Sequence, residues 1–414
     1  MKSFTFLGRQ GVFIASAIAS ASVLWLAAAG APRGLHAQAA GGAGASGAEI
    51  KVGGIFDLTG ITSDVGKSYA QGVRDAVEWT NAHGGINGKR LKLVDADYGY
   101  KIPEAVALYK RLVNDEKVVL IAGWGTGDTE ALREQAAKDK MPYLSASFSA
   151  HLTDPAKNPY NFFVAPSYSD QLRAWLLWVK DDWKDRSRKP KVAALFGDNA
   201  YGRSPLAAGK DFAEKNGIDW VYDGVLPGSF QDATSQLLTM QKAGADYAYI
   251  NVTTTSTSII LKDAVKLGLK TKFGSNPYGF SEALPGVAKE AAEGVTGVMP
   301  SPPYGTNVPG MKRIQDFAKG TPHDALYVRG WASTAVFVEG LKRADKAGQL
   351  TGEGIKSALE SLRGFDLGGI ACNVTYTPTD HRPCTTTPIY QVKNGTLVKV
   401  KDYDVPRRSE WLGM

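Results

Sequence analysis

Three carboxylates, Asp95, Asp97 and Asp128, lie near the ends of short apolar runs, where an α/β enzyme would carry its acids and bases. They stand without partners. The chain has no Gly-x-Ser-x-Gly elbow, and no His-x-x-His or Cys-x-x-Cys spacing among its five histidines and two cysteines. Gly123-Trp-Gly-Thr-Gly127 lacks the Lys-Ser/Thr ending of a phosphate loop. Solvated loop acids account for the aspartates more simply than catalysis, so no reaction, metal or cofactor is expected. Residues 118–150 offer a different chemistry. Trp124, Thr126 and Gly127 sit in one loop, and Ser147, Phe148 and Ser149 in a second. Hydroxyls and backbone N–H groups of this kind solvate an anion without a counter-charge.

Positioning those loops requires a sheet. Residues 118–122 are apolar and too few for a helix, so they read as a buried strand. Residues 130–138 are helix-compatible, and 141–144 can form a neighbouring strand. Both polar loops then leave the carboxyl ends of parallel strands, the edge of an open α/β sheet where small ligands bind. Two ordinary βα turns are the plain alternative.

The same alternation extends both ways. Strands are expected at 50–56 and 91–94, with helices at 68–82 and 103–114. The first helix carries Tyr69, Val73, Ala76, Val77 and Thr80 on one face. An extended segment at 160–164 leads to Pro166. A second run follows, with strands at 192–196, 220–226, 247–251 and 272–275 between helices at 169–183, 204–216, 233–243 and 256–267. Beyond Pro300 come helices at 309–319, 325–347 and 352–362. A strand-like stretch at 369–376 and a hairpin over 387–402, turning at Asn394-Gly395, complete the chain. The fold class is therefore α/β, with two parallel-sheet halves joined by several crossings.

The first 39 residues read as a secretory signal peptide: Lys2 and Arg9, an uncharged Ala/Ser-rich stretch over 11–29, and Ala37-Gln-Ala39 as a small-x-small cleavage site. A retained membrane anchor is the alternative, for which the stretch is barely long enough. Residues 40–49 would be a flexible leader. Processing removes Lys2, Arg9 and Arg33 from the 48 basic residues, so 45 face 41 acidic ones. With no basic stripe interleaved with aromatics, nucleic acid is not an expected partner. In an exported chain Cys372 and Cys384 suggest a disulfide, two free thiols being the other possibility.

Several stretches, taken together, carry a resemblance. They are Lys51-Val-Gly-Gly-Ile55, Leu58-Thr-Gly60, residues 72–81 leading into Gly84-Gly-Ile-Asn-Gly88, Asn199-Ala-Tyr-Gly202, Leu267-Gly-Leu-Lys270 and Ala291-Ala-Glu-Gly294. The most specific of them runs from Asn81 to Leu91. The chain from residue 50 onward resembles the type I periplasmic binding proteins, and among them the leucine/isoleucine/valine-binding proteins of ABC importers. The resemblance implies two doubly wound lobes joined by three hinge crossovers, near Pro166, Pro300 and Gly369. Lobe 1 would comprise 50–166 and 300–369, and lobe 2 would comprise 167–299 and 370–414. It implies a periplasmic monomer that holds a small carboxylate-bearing ligand between the lobes and delivers it to membrane-embedded ABC permease subunits. Carried over, the ligand carboxylate falls at Thr126 and Gly127 and at Ser147, Phe148 and Ser149. Tyr201 falls at an aromatic lid, and Asn251 and Thr253 at a further strand end.

One departure bears on the ligand. The amino-acid binders of the family pair the ligand ammonium with an acidic side chain in the second lobe. Here Gly274-Ser-Asn-Pro-Tyr-Gly279 puts Asn276 in that place, and a buried ammonium without a carboxylate is costly. Asp128 could substitute, but as a helix-start residue it reads more simply as a cap. Trp124, Phe148, Tyr201 and Tyr278 would wall the cleft with aromatic rings. That suits an amine-free organic or aromatic acid as well as a branched-chain amino acid. Lobe-interface packing is the plain account of those rings. A ligand-sensing receptor of a signalling system is the alternative function on the same fold.

Overall fold

The computed structural model describes residues 49–414. The expected signal peptide and all but the last residue of the expected leader lie outside the described residues.

The first sheet is built from β1 (Ile50–Phe56), β2 (Leu91–Asp97), β3 (Ile121–Gly123), β4 (Tyr143–Ser145) and β5 (Asn161–Phe162), ordered β2-β1-β3-β4-β5 and parallel throughout. The second holds β6 (Lys191–Gly197), β7 (Asp219–Leu226), β8 (Tyr247–Asn251), β9 (Lys272–Ser275) and β10 (Thr296–Val298), ordered β7-β6-β8-β9-β10. The sheets thus repeat one strand order, although no sequence repeat links them. An antiparallel hairpin, β11 (Thr386–Lys393) and β12 (Thr396–Asp404), extends the second sheet beside β10. β1 and β6 are almost wholly buried, as helices on both faces of a parallel sheet demand.

Each lobe reverses its strand order beside its first strand. β2 and β3 flank β1, and β7 and β8 flank β6. Connections leaving these central strands diverge to opposite faces and open a crevice at the carboxyl edge. The loops after β1, β3, β6 and β8 therefore converge on one place.

The first lobe's core is completed from far along the chain. Helices Ser63–Ala82 and Ala325–Lys346 pack together through Val65, Tyr69, Val73, Tyr327, Val328 and Trp331. Their axes come close because glycine meets backbone. A Cβ on Gly72 would run into the Tyr327 carbonyl oxygen, and one on Gly330 into that of Tyr69. The first of these helices starts at Ser63 rather than at 68. The buried Asp57 carboxylate accepts from the Gly60 and Thr62 amides at 2.6 and 2.9 Å, which turns the chain early. The helix expected at 204–216 runs Leu206–Lys215, and a separate short helix, Ala200–Arg203, precedes it; Pro205 between them cannot donate to a helical ladder.

Residues just beyond Gly369 pack with the first lobe. Ile370, Ala371, Val374 and Tyr376 are buried in the first lobe's core, and the Tyr376 hydroxyl donates to the Phe163 carbonyl at 2.9 Å. Residues 369–376 form no strand of either sheet and carry only the isolated bridge between Phe365 and Val374. Cys372 and Cys384 are disulfide-bonded there, and β11 follows directly.

Candidate functional site

The convergent loops enclose a cleft lined by Thr62 and Val65, Tyr100, Trp124, Gly125 and Thr126, Ala146, Tyr168, Tyr201, Thr253 and Tyr278. Five of these are aromatic and none carries a charge. The rings fill the space so fully that about 20 Å³ stays free, the room of about one water molecule.

Neighbouring loops hold the rings. The Trp124 indole donates to Thr62 Oγ1 at 2.8 Å, and that hydroxyl donates to the Asp57 carboxylate at 2.6 Å. Tyr168 follows the first crossing, and its amide donates to the Phe148 carbonyl at 2.7 Å. Tyr278 belongs to the second lobe but penetrates the first. Its ring lies 5.3 Å from Trp124 at 73° and stacks on Phe148 at 5.8 Å and 23°. Its hydroxyl donates across the lobes to the Ala146 carbonyl. Burial pushes that phenol up to about 12, Arg329 opposing.

Further bonds tie the lobes. Ser149 and Ser204 share a hydrogen bond at 2.6 Å, the Thr255 amide donates to Asp64 at 2.9 Å, and the Arg329 guanidinium donates to the Pro277 carbonyl at 3.4–3.5 Å. Ser149 also bonds His151 Nδ1 at 2.9 Å, and Glu130 holds Nε2 at 2.8 Å. This Ser–His–Glu row escaped sequence reasoning, since its members are spread over a helix and a loop. Ser149 is fully buried and engaged by Ser204, so the row acts as a clasp rather than as an exposed nucleophile.

Of the expected contacts, Trp124, Thr126, Tyr201, Thr253 and Tyr278 line the cleft. Gly127, Ser147, Phe148, Ser149, Asn251 and Asn276 do not. Gly127 lies inside the helix Thr126–Lys138, against Ile102. Ser147 sits behind Thr126, their hydroxyls bonded at 2.7 Å, and Phe148 lies against Tyr278. The Asn251 amide donates to the Tyr201 and Gly202 carbonyls, both at 3.0 Å, bracing the turn that carries Tyr201. Asn276 is wholly engaged. Its NH2 donates to the Ile250 and Val252 carbonyls at 3.1 and 2.9 Å, and its oxygen accepts from the Tyr201 hydroxyl at 2.5 Å and the Tyr278 amide at 2.7 Å.

Asp128 does not line the cleft. It is buried, accepts from the Tyr98 hydroxyl at 2.8 Å and the Gly125 amide at 3.3 Å, and closes the first turn of its helix as a cap. Burial raises its carboxyl to about 6. No cluster of His, Cys, Asp and Glu that could hold a metal occurs among the described residues. No helix among them is long and apolar enough to cross a membrane.

Sequence reasoning missed Thr62, Tyr100 and Tyr168 as lining residues. The hydroxyls after β1 were a usable signal for Thr62. Tyr100 adopts a positive φ of 57°, which no local pattern announces.

Two α/β lobes of the same strand order, closed on an uncharged aromatic cleft at their switch points, define a two-lobed ligand-binding protein. The sequence profile of the family described as periplasmic binding protein matches residues 49–396, and the chain belongs to that family. It is 27% identical over 237 residues to the Leu/Ile/Val-binding protein homolog 7 of Brucella suis, covering 55% of this chain and 58% of that protein. The chain thus spans little more than half the length of that relative. It is 23% identical to the Leu/Ile/Val-binding protein of Escherichia coli over 80% of this chain and 93% of that one. Among solved structures, an ABC transporter substrate-binding protein of Aeropyrum pernix is similar at 31% identity and a TM-score of 0.82, covering 88% and 98% of the two chains. A branched-chain amino acid ABC transporter protein of Thermus thermophilus with bound valine shares the fold at 24% identity and a TM-score of 0.81, over 87% and 97%.

Proposed function

We propose that this chain is the substrate-binding component of an ABC importer, exported to the periplasm, where it captures a small carboxylate and presents it to membrane-embedded permease subunits. The ligand lacks an ammonium group. One observation carries this choice: no charged side chain lines the cleft, and the two candidates for an ammonium partner, Asn276 and Asp128, are engaged within their own lobes. An amino acid would bury its ammonium against aromatic rings and hydroxyls alone, at a desolvation cost those groups do not offset. Thr126 and Thr253, at the starts of helices, supply hydroxyls and first-turn N–H groups suited to a carboxylate. The valine bound by the Thermus protein argues for the branched-chain alternative, but at 24% identity that likeness speaks for the fold.

The test is a thermal-shift and calorimetric screen of the mature protein against leucine, valine, isovalerate, benzoate and cinnamate. A ligand of the native state raises the melting temperature by mass action. Stabilisation by the amine-free acids is expected. Stabilisation by leucine or valine alone would restore the amino-acid reading.

A further inference from the structure

Arg329 is the charge that the cleft's lining lacks. It sits in the first turns of Ala325–Lys346 beside Gly330, where the close helix crossing seals it from water at 1% exposure. Among the described residues no carboxylate forms an ion pair with it. Its guanidinium makes only two long bonds, both to the Pro277 carbonyl, and Nε has no partner at all. The carboxylates at the same end of that helix are otherwise engaged. Asp324 accepts from the Leu326 and Tyr327 amides, and Glu282 from the Ala325 and Tyr304 amides.

A buried cation with so few partners is expensive unless something negative answers it. What it does face is aromatic. Its central carbon lies 4.9 Å from the Tyr278 ring and 5.8 Å from the Phe148 ring, and Tyr278 lines the cleft. Cation–π attraction compensates part of the burial. It does not neutralise the charge, which in a low-dielectric interior reaches across a single ring into the cleft.

We infer that Arg329 is the counter-charge of the binding site, selecting an anionic ligand over its neutral isostere from behind the ring of Tyr278. This rests on the carboxylate reading above and adds the residue that enforces it. Arg329 is a positioning residue, touching Tyr278 and Pro277 rather than the ligand. Because those two residues belong to the second lobe, the cation reaches its place against Tyr278 only as the lobes close. The charge thereby also couples anion capture to closure.

The experiment compares acids with their primary amides in wild type, Arg329→Met and Arg329→Lys, by calorimetry. The pairs are benzoate and benzamide, cinnamate and cinnamamide, leucine and leucinamide. Wild type is expected to favour the acid of the bound pair by at least about tenfold. Arg329→Met should lower acid affinity about tenfold and move amide affinity less than threefold, while Arg329→Lys restores most of the preference. A purely structural clasp would weaken acid and amide alike, and that result overturns the inference. So does a wild type that binds the two forms equally, a readout that needs no variant to fold. Preference confined to the leucine pair, with the same dependence on Arg329, sinks the amine-free reading and keeps the counter-charge. Silence from every pair overturns both.

Discussion

The Tyr201 hydroxyl donates to the side-chain oxygen of Asn276 at 2.5 Å, so a ring that lines the cleft and the amide of Asn276 are parts of one network. The amide group suits this position because it both gives and receives. Two carbonyls take its NH2, and three donors reach its oxygen: the Tyr201 hydroxyl and the Tyr278 and Gly279 amides. Asn276→Asp would turn both NH2 bonds into oxygen–oxygen repulsion. It should destabilise the protein by about 2–4 kcal/mol without creating leucine binding. Denaturant unfolding and a leucine titration check this, and a stable variant that binds leucine would refute it.

Removing the Tyr278 hydroxyl deletes the bond to Ala146 while keeping the ring. Tyr278→Phe should weaken ligand binding by about fivefold, since one hydrogen bond contributes about 1 kcal/mol, and the loss should fall mainly in the off-rate. Stopped-flow kinetics measures it. An unchanged off-rate would mean that the bond does not contribute to closure.

Asp128 titrates in the folded protein near 6 and in the unfolded chain near 3.8, because burial disfavours its charge. The folded state holds this proton more tightly. Its contribution therefore favours folding at low pH and declines as pH rises from about 4 to about 6. Asp128→Asn carries no such dependence. Relative to wild type it should gain about 2–3 kcal/mol between pH 4 and pH 7. Melting temperatures of both proteins across that range are the measurement, and parallel curves would contradict the assignment.

The crossing of Ser63–Ala82 with Ala325–Lys346 makes a steric prediction. Gly72→Ala forces a methyl group against the Tyr327 carbonyl and should cost about 1–3 kcal/mol. Gly286, in the helix Ala283–Ala288 with nothing near its missing Cβ, is the control. Gly286→Ala should be neutral or stabilising by up to about 1 kcal/mol. Equal effects at the two sites would show that packing does not explain the first.

Strand and helix periodicity made the two parallel sheets legible in the sequence: the apolar run at 192–196 falls on a buried strand, while the one at 118–122 meets β3 only at Ile121 and Ala122. The β3–β4 loops were legible as a pair, but not which of their side chains turn toward the cleft. Ser147 and Phe148 face inward to brace Thr126 and Tyr278, and that difference arises only once the second lobe is in place. Arg329 was illegible for the same reason. A basic residue amid apolar ones on a helix normally reaches out to water, and only the glycine-mediated crossing buries it. Residues 369–376 alternate like a strand, yet no sheet edge is offered to them, and Ile370, Val374 and Tyr376 pack into the first lobe instead.

Neither lobe is made from one continuous stretch of chain. The first waits for Ala325–Lys346 to fill its core, and the second waits for the hairpin of β11 and β12 to cover β10. During synthesis almost the entire polypeptide must leave the ribosome before either half can mature, and both then complete within the last few dozen residues. A chain truncated before residue 386 would leave the edge of β10 bare, a template on which other chains can pair.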